Sequence, residues 1–363
     1  MTPDLPAGPP RRLVLAGEAL VDVLMRVPGL PPRGGDILAT SSQVAVGGGF
    51  NVMAAAARQG LPVLYAGGHG TGPWGDLVRA ALAAEGIGLL RPPDPFRDTG
   101  FDVALVESDA ERTFVTSLGA ESISAPGSWD AVPAGPGDAV YVSGYGLVPA
   151  GSGAVLGAWA AALPPGVLLF MDPGPLAAQI PEPVLAPVLA RCDWLSCNAR
   201  EAALLSGVAE PKEAARRLLD RTARASVIVR SGPDGCYLAQ RPGAERPQSP
   251  LPPRPAPSAT HVTPVAAHVT PLDARLPALD ARVAALDPRL PTLAHLPAPA
   301  VTAVDTTGAG DAHSGVFLAS LADGLPPAAA ARRANAAAAL AVTRPGPATS
   351  PSRAELDAWL ARP

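Results

Sequence analysis

The chain has 363 residues, 28 basic and 32 acidic, for a net charge of −4, a near-balance that leaves no electrostatic footprint for nucleic acid or an anionic membrane surface. Its 45 prolines are about 12 percent of the residues where about 5 percent is usual, and Lys212 is the only lysine. Because Lys212 stands in Glu210-Pro211-Lys212-Glu213, no glycine run ends in Lys followed by Ser or Thr, which excludes a Walker-type phosphate loop. Cys192, Cys197 and Cys236 form no Cys-x-x-Cys pair, so neither a disulfide framework nor a zinc knuckle is indicated, and a reducing cytoplasm is the simplest compartment. The Pro- and Arg-bearing start lacks the apolar core of a signal peptide.

Along the chain, short apolar runs alternate with Ala-rich helical stretches, the rhythm of βαβ units and a mainly parallel sheet. A strand is expected over 13–16, half-polar alternation over 22–44, a helix over 51–59, a strand over 63–66 and a helix over 75–85. Alternation returns in 101–106 and 112–116, so a small, half-buried antiparallel sheet is expected to stand off the main one. Strands follow over 139–143, 167–172, 194–197 and 227–230, with helices over 154–163, 200–206 and 212–222. Residues 139–171 carry no charge and are long enough to span a bilayer, but Gly151-Ser152-Gly153 and Pro164-Pro165-Gly166 cut them into strand, helix and strand. From 240 to 299 the chain changes character: prolines crowd, and His261-Val262-Thr263-Pro264 and Leu272-Asp273-Ala274-Arg275-Leu276 recur at seven-residue spacing. This stretch reads as an exposed insertion without catalytic duty, and nothing in the spacing of His261, His268 and His295 brings them to one metal. Helices over 312–322, 327–342 and 353–360 complete the chain.

The most informative segment is Asp305-Thr306-Thr307-Gly308-Ala309-Gly310-Asp311, which leads into a helical run. Two glycines before a helix start let the amides of Ala309, Gly310 and Asp311 point at one spot, where the helix dipole favours negative charge. This is an anion hole that needs no lysine. A hydroxyl attacking a phosphoryl group must lose its proton, and Asp311 is placed to accept it; the plain alternative is that Asp311 only caps the helix. A competing motif, Gly70-Thr71-Gly72-Pro73-Trp74-Gly75, fits the G-x-G-x-x-G dinucleotide fingerprint, with Asp94 about twenty residues on. Pro73 and Trp74 put bulk where a pyrophosphate would approach the backbone, which argues against it.

The 305–311 segment resembles the C-terminal signature of the ribokinase-like, or PfkB, carbohydrate kinases, and the resemblance runs across nearly the whole chain outside the Pro-rich stretch. Gly47-Gly48-Gly49-Phe50-Asn51 is similar to their N-terminal Gly-Gly signature, one residue off its usual spacing, and Asn198-Ala199-Arg200-Glu201 matches their Asn-x-x-Glu motif. The resemblance implies a three-layer α/β/α fold with a mostly parallel central sheet and a small β lid. It implies one kinase domain over 11–363, lid segments near 19–45 and 98–118, and the 240–299 insertion within it.

It further implies ATP-dependent transfer of the γ-phosphate to a sugar hydroxyl. Asp311 would be the base, and the amides of Gly308, Ala309 and Gly310 would hold the phosphoryl group. Asp22, Gly48 and Asn51 would bind sugar hydroxyls, while Asn198 and Glu201 would organise magnesium and its waters. Ser231, Gly232 and Gly235 would form a nucleotide-contacting turn, with Asn335 near the base; Arg230 stands where a threonine is common. Asp305, Thr307, Ala341, Arg344, Gly346 and Ser350 fall in register with the family's monovalent-cation site, so potassium and a plain Pro- and Gly-bearing loop are both open readings. A homodimer through the lid is a further expectation. A nucleoside kinase and a non-catalytic sugar or nucleotide sensor share the fold, and the acceptor is not legible. A phosphosugar would require lid arginines, for which Arg97 and Arg112 are the candidates, unless both are solvated lid charges.

Overall fold

Runs too apolar to face water on either side form the centre of the molecule, which the computed structural model describes over residues 9–108, 112–241 and 292–362. Strands β1 (Arg12–Ala16), β8 (Asp138–Ser143), β9 (Leu168–Asp172), β10 (Trp194–Asn198) and β11 (Ser226–Arg230) are buried along almost their whole length. They join β4 (Val63–Tyr65), β5 (Gly88–Leu89), β12 (Cys236–Gln240) and β13 (Thr292–Leu296) in a nine-stranded sheet of order β13-β12-β11-β10-β9-β8-β1-β4-β5. All neighbours are parallel except β11–β12 and β12–β13.

Alternate side chains divide the core into two layers, as the two-residue period of a strand requires. Leu13, Leu15, Tyr141, Phe170 and Ile228 pack under α1 (Gly49–Arg58), α2 (Pro73–Ala84), α7 (Ala309–Ala322) and α8 (Pro327–Ala341). Val14, Val140, Val142, Leu169 and Val227 pack under α3 (Ser152–Ala161), α4 (Glu182–Arg191), α5 (Ala199–Ser206) and α6 (Pro211–Arg221). Helix α9 (Arg353–Leu360) closes the chain against α8 through Leu356.

A four-stranded sheet, order β3-β2-β6-β7, stands apart from the main one, formed by β2 (Ala19–Arg26), β3 (Ser41–Gly48), β6 (Phe101–Val106) and β7 (Arg112–Ser117). It departs from a purely antiparallel expectation, because β2 and β6 run parallel between two antiparallel pairs. Two residues, Gly17 and Glu18, join β1 to it, and β3 runs straight into α1, so its base is fixed to the end of the main sheet.

Helix α4 and strands β5, β12 and β13 were not among the expected elements, and one expected helix starts early. Helix α4 forms despite Pro187 in its interior, since Leu185, Val188 and Leu189 bury one face. Helix α7 starts at Ala309, one turn earlier than expected. The stretch expected to be an insertion through 299 contains β13, which proline brackets at Pro291 and Pro297 and which pairs residue by residue with β12. The repeats, with His261 and His268, lie outside the described residues, and His295 sits on β13 with Nε2 at 2.8 Å from the Asp234 carbonyl. The uncharged 139–171 stretch is divided among β8, α3 and β9, and among the described residues no helix is long and apolar enough to cross a membrane.

Helices α1 and α7 meet closely enough for one to bear on the other's backbone. A Cβ on Gly315 would lie 2.5 Å from the Val52 carbonyl oxygen and 2.6 Å from Ala55 Cβ. Gly315→Ala is therefore expected to lower stability by about 1–3 kcal/mol, as overpacking does, read as an earlier midpoint in urea unfolding with the slope unchanged.

Candidate active site

Strand order reverses between β1 and β8, since the chain goes from β1 outward to β4 and β5 and then returns to β8 on the other side. A crevice opens outside the carboxyl ends of strands at such a point. Glu18, just beyond β1, accepts a 2.8 Å hydrogen bond from Ser143 Oγ at the end of β8. Burial raises the Glu18 carboxyl to about 7, and its Oε2 has no partner. The Glu18 carbonyl takes the Gly49 amide at 2.8 Å, tying this corner to the start of α1.

The three-glycine segment here is sorted by contact. Gly48 has φ 61°, in the region that favours glycine, and caps α1. Gly47 lies under Asp22, where a Cβ would sit 2.1 Å from Asp22 Oδ2. Asp22 and Asp102 are register partners on β2 and β6, so their carboxyls sit on the same face of the sheet. Burial raises both carboxyls, Asp102 and then Asp311 raise Asp22 further, and Asp22 lowers Asp102, so the pair holds a proton near neutrality. Asp102 Oδ1 is buried without a partner.

Gly308 is left-handed at φ 73° and caps α7. The Ala309 amide goes to the Thr306 carbonyl at 3.3 Å, so Gly310 and Asp311 supply the amides that precede any helical partner. Asn51 Nδ2 donates to Asp311 Oδ2 at 3.1 Å across the α1–α7 contact, leaving Asn51 Oδ1 buried and unpartnered. Burial raises the Asp311 carboxyl to about 6; the Asn51 bond lowers it, Asp172 raises it and Arg230 lowers it.

Arg230 underlies this turn. A Cβ on Gly310 would lie 3.2 Å from its Nη2, and its Nη1 donates to Asp172 at 2.8 Å, Ser196 at 2.7 Å and Ser314 at 3.1 Å. Glu201 Oε2 lies 3.7 Å from Nη2. Burial would strip the guanidinium of its proton, but Asp172 and Glu201 hold it charged.

At the end of β10, Asn198 and Glu201 form a complete capping box on α5, with Asn198 Nδ2 also donating to Glu201 Oε1 at 2.8 Å. Burial raises Glu201, and Asp172 raises it further. Among the described residues no three His, Cys, Asp or Glu side chains gather as a metal-binding group, and Glu201, whose oxygens accept from Asn198, is a hard oxygen donor suited to the water shell of magnesium more than to direct coordination. Gly232 and Gly235, both at positive φ, turn β11 into β12, and the Ser231 hydroxyl beside them is buried without a partner. Asn335 Nδ2 donates to the Leu296 carbonyl at 2.8 Å, placing α8 against the end of β13.

The G-x-G-x-x-G match has a different explanation. Asp98 accepts from the Trp74 amide at 3.1 Å and the Gly75 amide at 2.8 Å, so the α2 N-terminus already has its anion. This removes the dinucleotide reading. Arg97 pairs with Asp94 at 3.5 Å, 58% exposed, and Arg112 reaches Asp305 and Thr306, so neither lid arginine faces the Asp22–Asp102 pair.

The carbohydrate-kinase family model, described as pfkB family, matches residues 10–267 and 291–354. The chain belongs to the pfkB family of carbohydrate kinases. Across 355 residues it is 31% identical to the uncharacterized sugar kinase YegV of Escherichia coli (strain K12), covering 95% of this chain and 92% of that protein. Ribokinase from Thermotoga maritima matches with a TM-score of 0.71 at 22% identity, over 97% and 99% of the two chains. Arabidopsis thaliana ribokinase complexed with ribose and ATP matches at 0.67 and 22%, over 98% and 100%. These likenesses establish the ribokinase fold.

Glu18, Asp102, Ser143 and Asp172 carry no motif in the family's signatures. The only signal for Asp172 is an acidic residue closing a fully apolar strand before Pro173-Gly174.

Raised carboxyls destabilise the unliganded fold as they ionise, because stability present below their unfolded values is lost as pH rises through the folded ones. His313, lowered to about 3, and His69, also lowered by burial, act oppositely only below their unfolded values near 6.5, so the carboxyls govern the range above. The apo protein is thus expected to melt at a lower temperature at about pH 8.5 than at about pH 6.5, and Glu18→Gln is expected to flatten part of that slope.

Proposed function

We propose that this family member is an ATP-dependent kinase for an uncharged, polyhydroxylated small molecule, with a sugar as the first choice. The observation that carries the reading is Asp311, oriented by Asn51 at 3.1 Å and set at the start of α7 beside two amides. The acceptor hydroxyl gives its proton to Asp311 as its oxygen attacks the γ-phosphorus. The amides of Gly310 and Asp311, with Gly308 and Ala309 shaping the turn, hold the phosphoryl oxygens, and the Arg230 guanidinium beneath adds positive charge. Glu201, through waters, and Asn198 would hold a magnesium ion, which would neutralise charge on the phosphates. Ser231, Gly232, Gly235 and Asn335 border the rest of the nucleotide.

The acceptor end supports the substrate class. Glu18, Asp22, Asn51 and Asp102 offer acceptor oxygens to several hydroxyl groups, and no cation is among the charges acting on Asp22 or Asp102. A phosphate or carboxylate on the acceptor would meet like charge there. The face of the small sheet opposite Asp22 and Asp102 exposes Val44 and Val115, which supports association of two copies through it.

Asp311→Asn is expected to keep ATP binding while kcat falls about 10²- to 10⁴-fold, and wild-type kcat is expected to drop on the acid side with an apparent pKa near 6. Steady-state kinetics at several pH values with a magnesium-ATP assay check both. In the same assay, turnover with neutral pentoses or hexoses but not with their phosphates or aldonic acids supports the acceptor class. Turnover confined to nucleosides would select a nucleoside kinase, and ATP binding with near-normal turnover in Asp311→Asn would rule out the base.

A further inference from the structure

Asp305 is a buried carboxylate that fastens two loops. Its Oδ1 accepts the Thr307 amide at 2.9 Å and the Thr307 hydroxyl at 2.7 Å, and its Oδ2 accepts the Gly346 amide at 3.0 Å. The first loop leads within three residues to the amides of the anion turn, and the second follows α8. One further partner comes from elsewhere: Arg112, the first residue of β7 on the small sheet, donates from Nη2 to Asp305 Oδ1 and from Nη1 to Thr306 Oγ at 3.1 Å. The arginine side chain is 18% exposed and the aspartate 7%.

The oxygens expected to surround a monovalent cation are engaged in the same way. The Ala341 carbonyl takes the Arg344 amide at 3.1 Å and the Thr349 hydroxyl at 3.0 Å. The Ser350 carbonyl takes Arg58 Nη1 at 3.0 Å, and the same nitrogen bonds the carbonyl of Ala348, which adopts φ 51°. The one carboxylate of the set thus has a fixed counter-charge, and two of its carbonyls have protein donors. These residues do not fit a potassium ion as their required partner.

We propose that Arg112 is a built-in monovalent cation: its guanidinium takes the place of potassium on Asp305, and because it is carried by the small sheet, closure of that sheet over the crevice also orders the anion turn. This rests on the reading of the 308–311 turn as the phosphoryl site. Arg112 acts as a positioning residue, through Asp305 and Thr306, and not on the substrate. A buried carboxylate left without its counter-charge is costly, so removing Arg112 creates a demand for a cation that the intact chain does not have. A planar guanidinium can bond Asp305 and Thr306 at once, which a hydrated ion would do only by shedding water.

The test compares wild type, Arg112→Ala and Arg112→Lys in potassium and in tetramethylammonium at equal ionic strength, by thermal melting and by kcat on whichever acceptor is turned over. Wild type is expected to change little between the two salts. Arg112→Ala is expected to lose about tenfold or more in kcat without potassium, to recover much of it with potassium, and to melt about 2–4 °C higher in potassium as a newly bound ion would cause. Arg112→Lys should keep most of the activity in both salts. The proposal is overturned if wild type is activated several-fold by potassium, or if the defect of Arg112→Ala responds to no cation, which would leave Arg112 a structural contact. The melting arm needs no turnover, so it decides the proposal even if the kinase reading fails.

Discussion

Arg230 holds together the parts of the site that the main sheet alone would leave apart. Its guanidinium bonds Asp172 at the end of β9, Ser196 on β10 and Ser314 on α7, while its own backbone belongs to β11. A side chain this buried remains charged only because Asp172 and Glu201 surround it, and they in turn depend on it for their counter-charge. Such a group gains little net stability over an apolar one, yet it fixes three strands and a helix in one register. Gly310 can rest on it because no Cβ intervenes. The anion turn therefore has a rigid, positively charged floor without any lysine.

That floor faces a wall of carboxyl groups. Glu18, Asp22, Asp102, Asp172, Glu201 and Asp311 converge on one end of the sheet, and burial raises most of them above their ordinary range. A fold optimised for stability would not collect them. They are distributed by environment: Asp311 is raised by burial but held down by the Asn51 bond and Arg230, whereas in the Asp22–Asp102 pair Asp102 raises Asp22, so that pair keeps a proton and can both give and take hydrogen bonds. On the proposed reading the crevice has its base at one end and a hydroxyl-binding pair at the other, a separation that follows from the different surroundings of the carboxyls.

Much of this was legible from the chain. Alternating apolar runs and Ala-rich stretches identify the parallel sheet because buried strands cannot carry charge, and the 305–311 segment identifies the turn because glycine placement there serves one geometry. Asn51 was legible as a member of the site, though not as the partner of Asp311, 260 positions away. Contacts that depend on strands far apart in the chain left no local trace: Asp172 and Arg230 lie 58 residues apart, and Asp22 and Asp102 meet only because β2 and β6 are neighbours. The Gly70 to Gly75 motif shows the reverse failure. Its glycines answer to close packing against Arg97 and Asp98, a requirement that leaves the same spacing as a pyrophosphate turn. Strand β13 was hidden because proline-rich composition dominated a window in which five residues pair with β12.

The small sheet links these features. It supplies Asp22 and Asp102 to the crevice, Arg112 to Asp305, and through β3 the first turn of the helix that bears Asn51. Any movement of it displaces the acceptor-binding pair and the counter-charge of Asp305 together. An acceptor that draws the sheet down onto the crevice would thereby complete the anion turn at the same moment that water is excluded, which is when a phosphoryl group is safest to transfer. With the sheet raised, Asp305 would lose Arg112, and the turn would be held from one loop fewer. On the proposed reading, readiness for transfer would depend on acceptor occupancy through an ion pair, without requiring the main sheet to move.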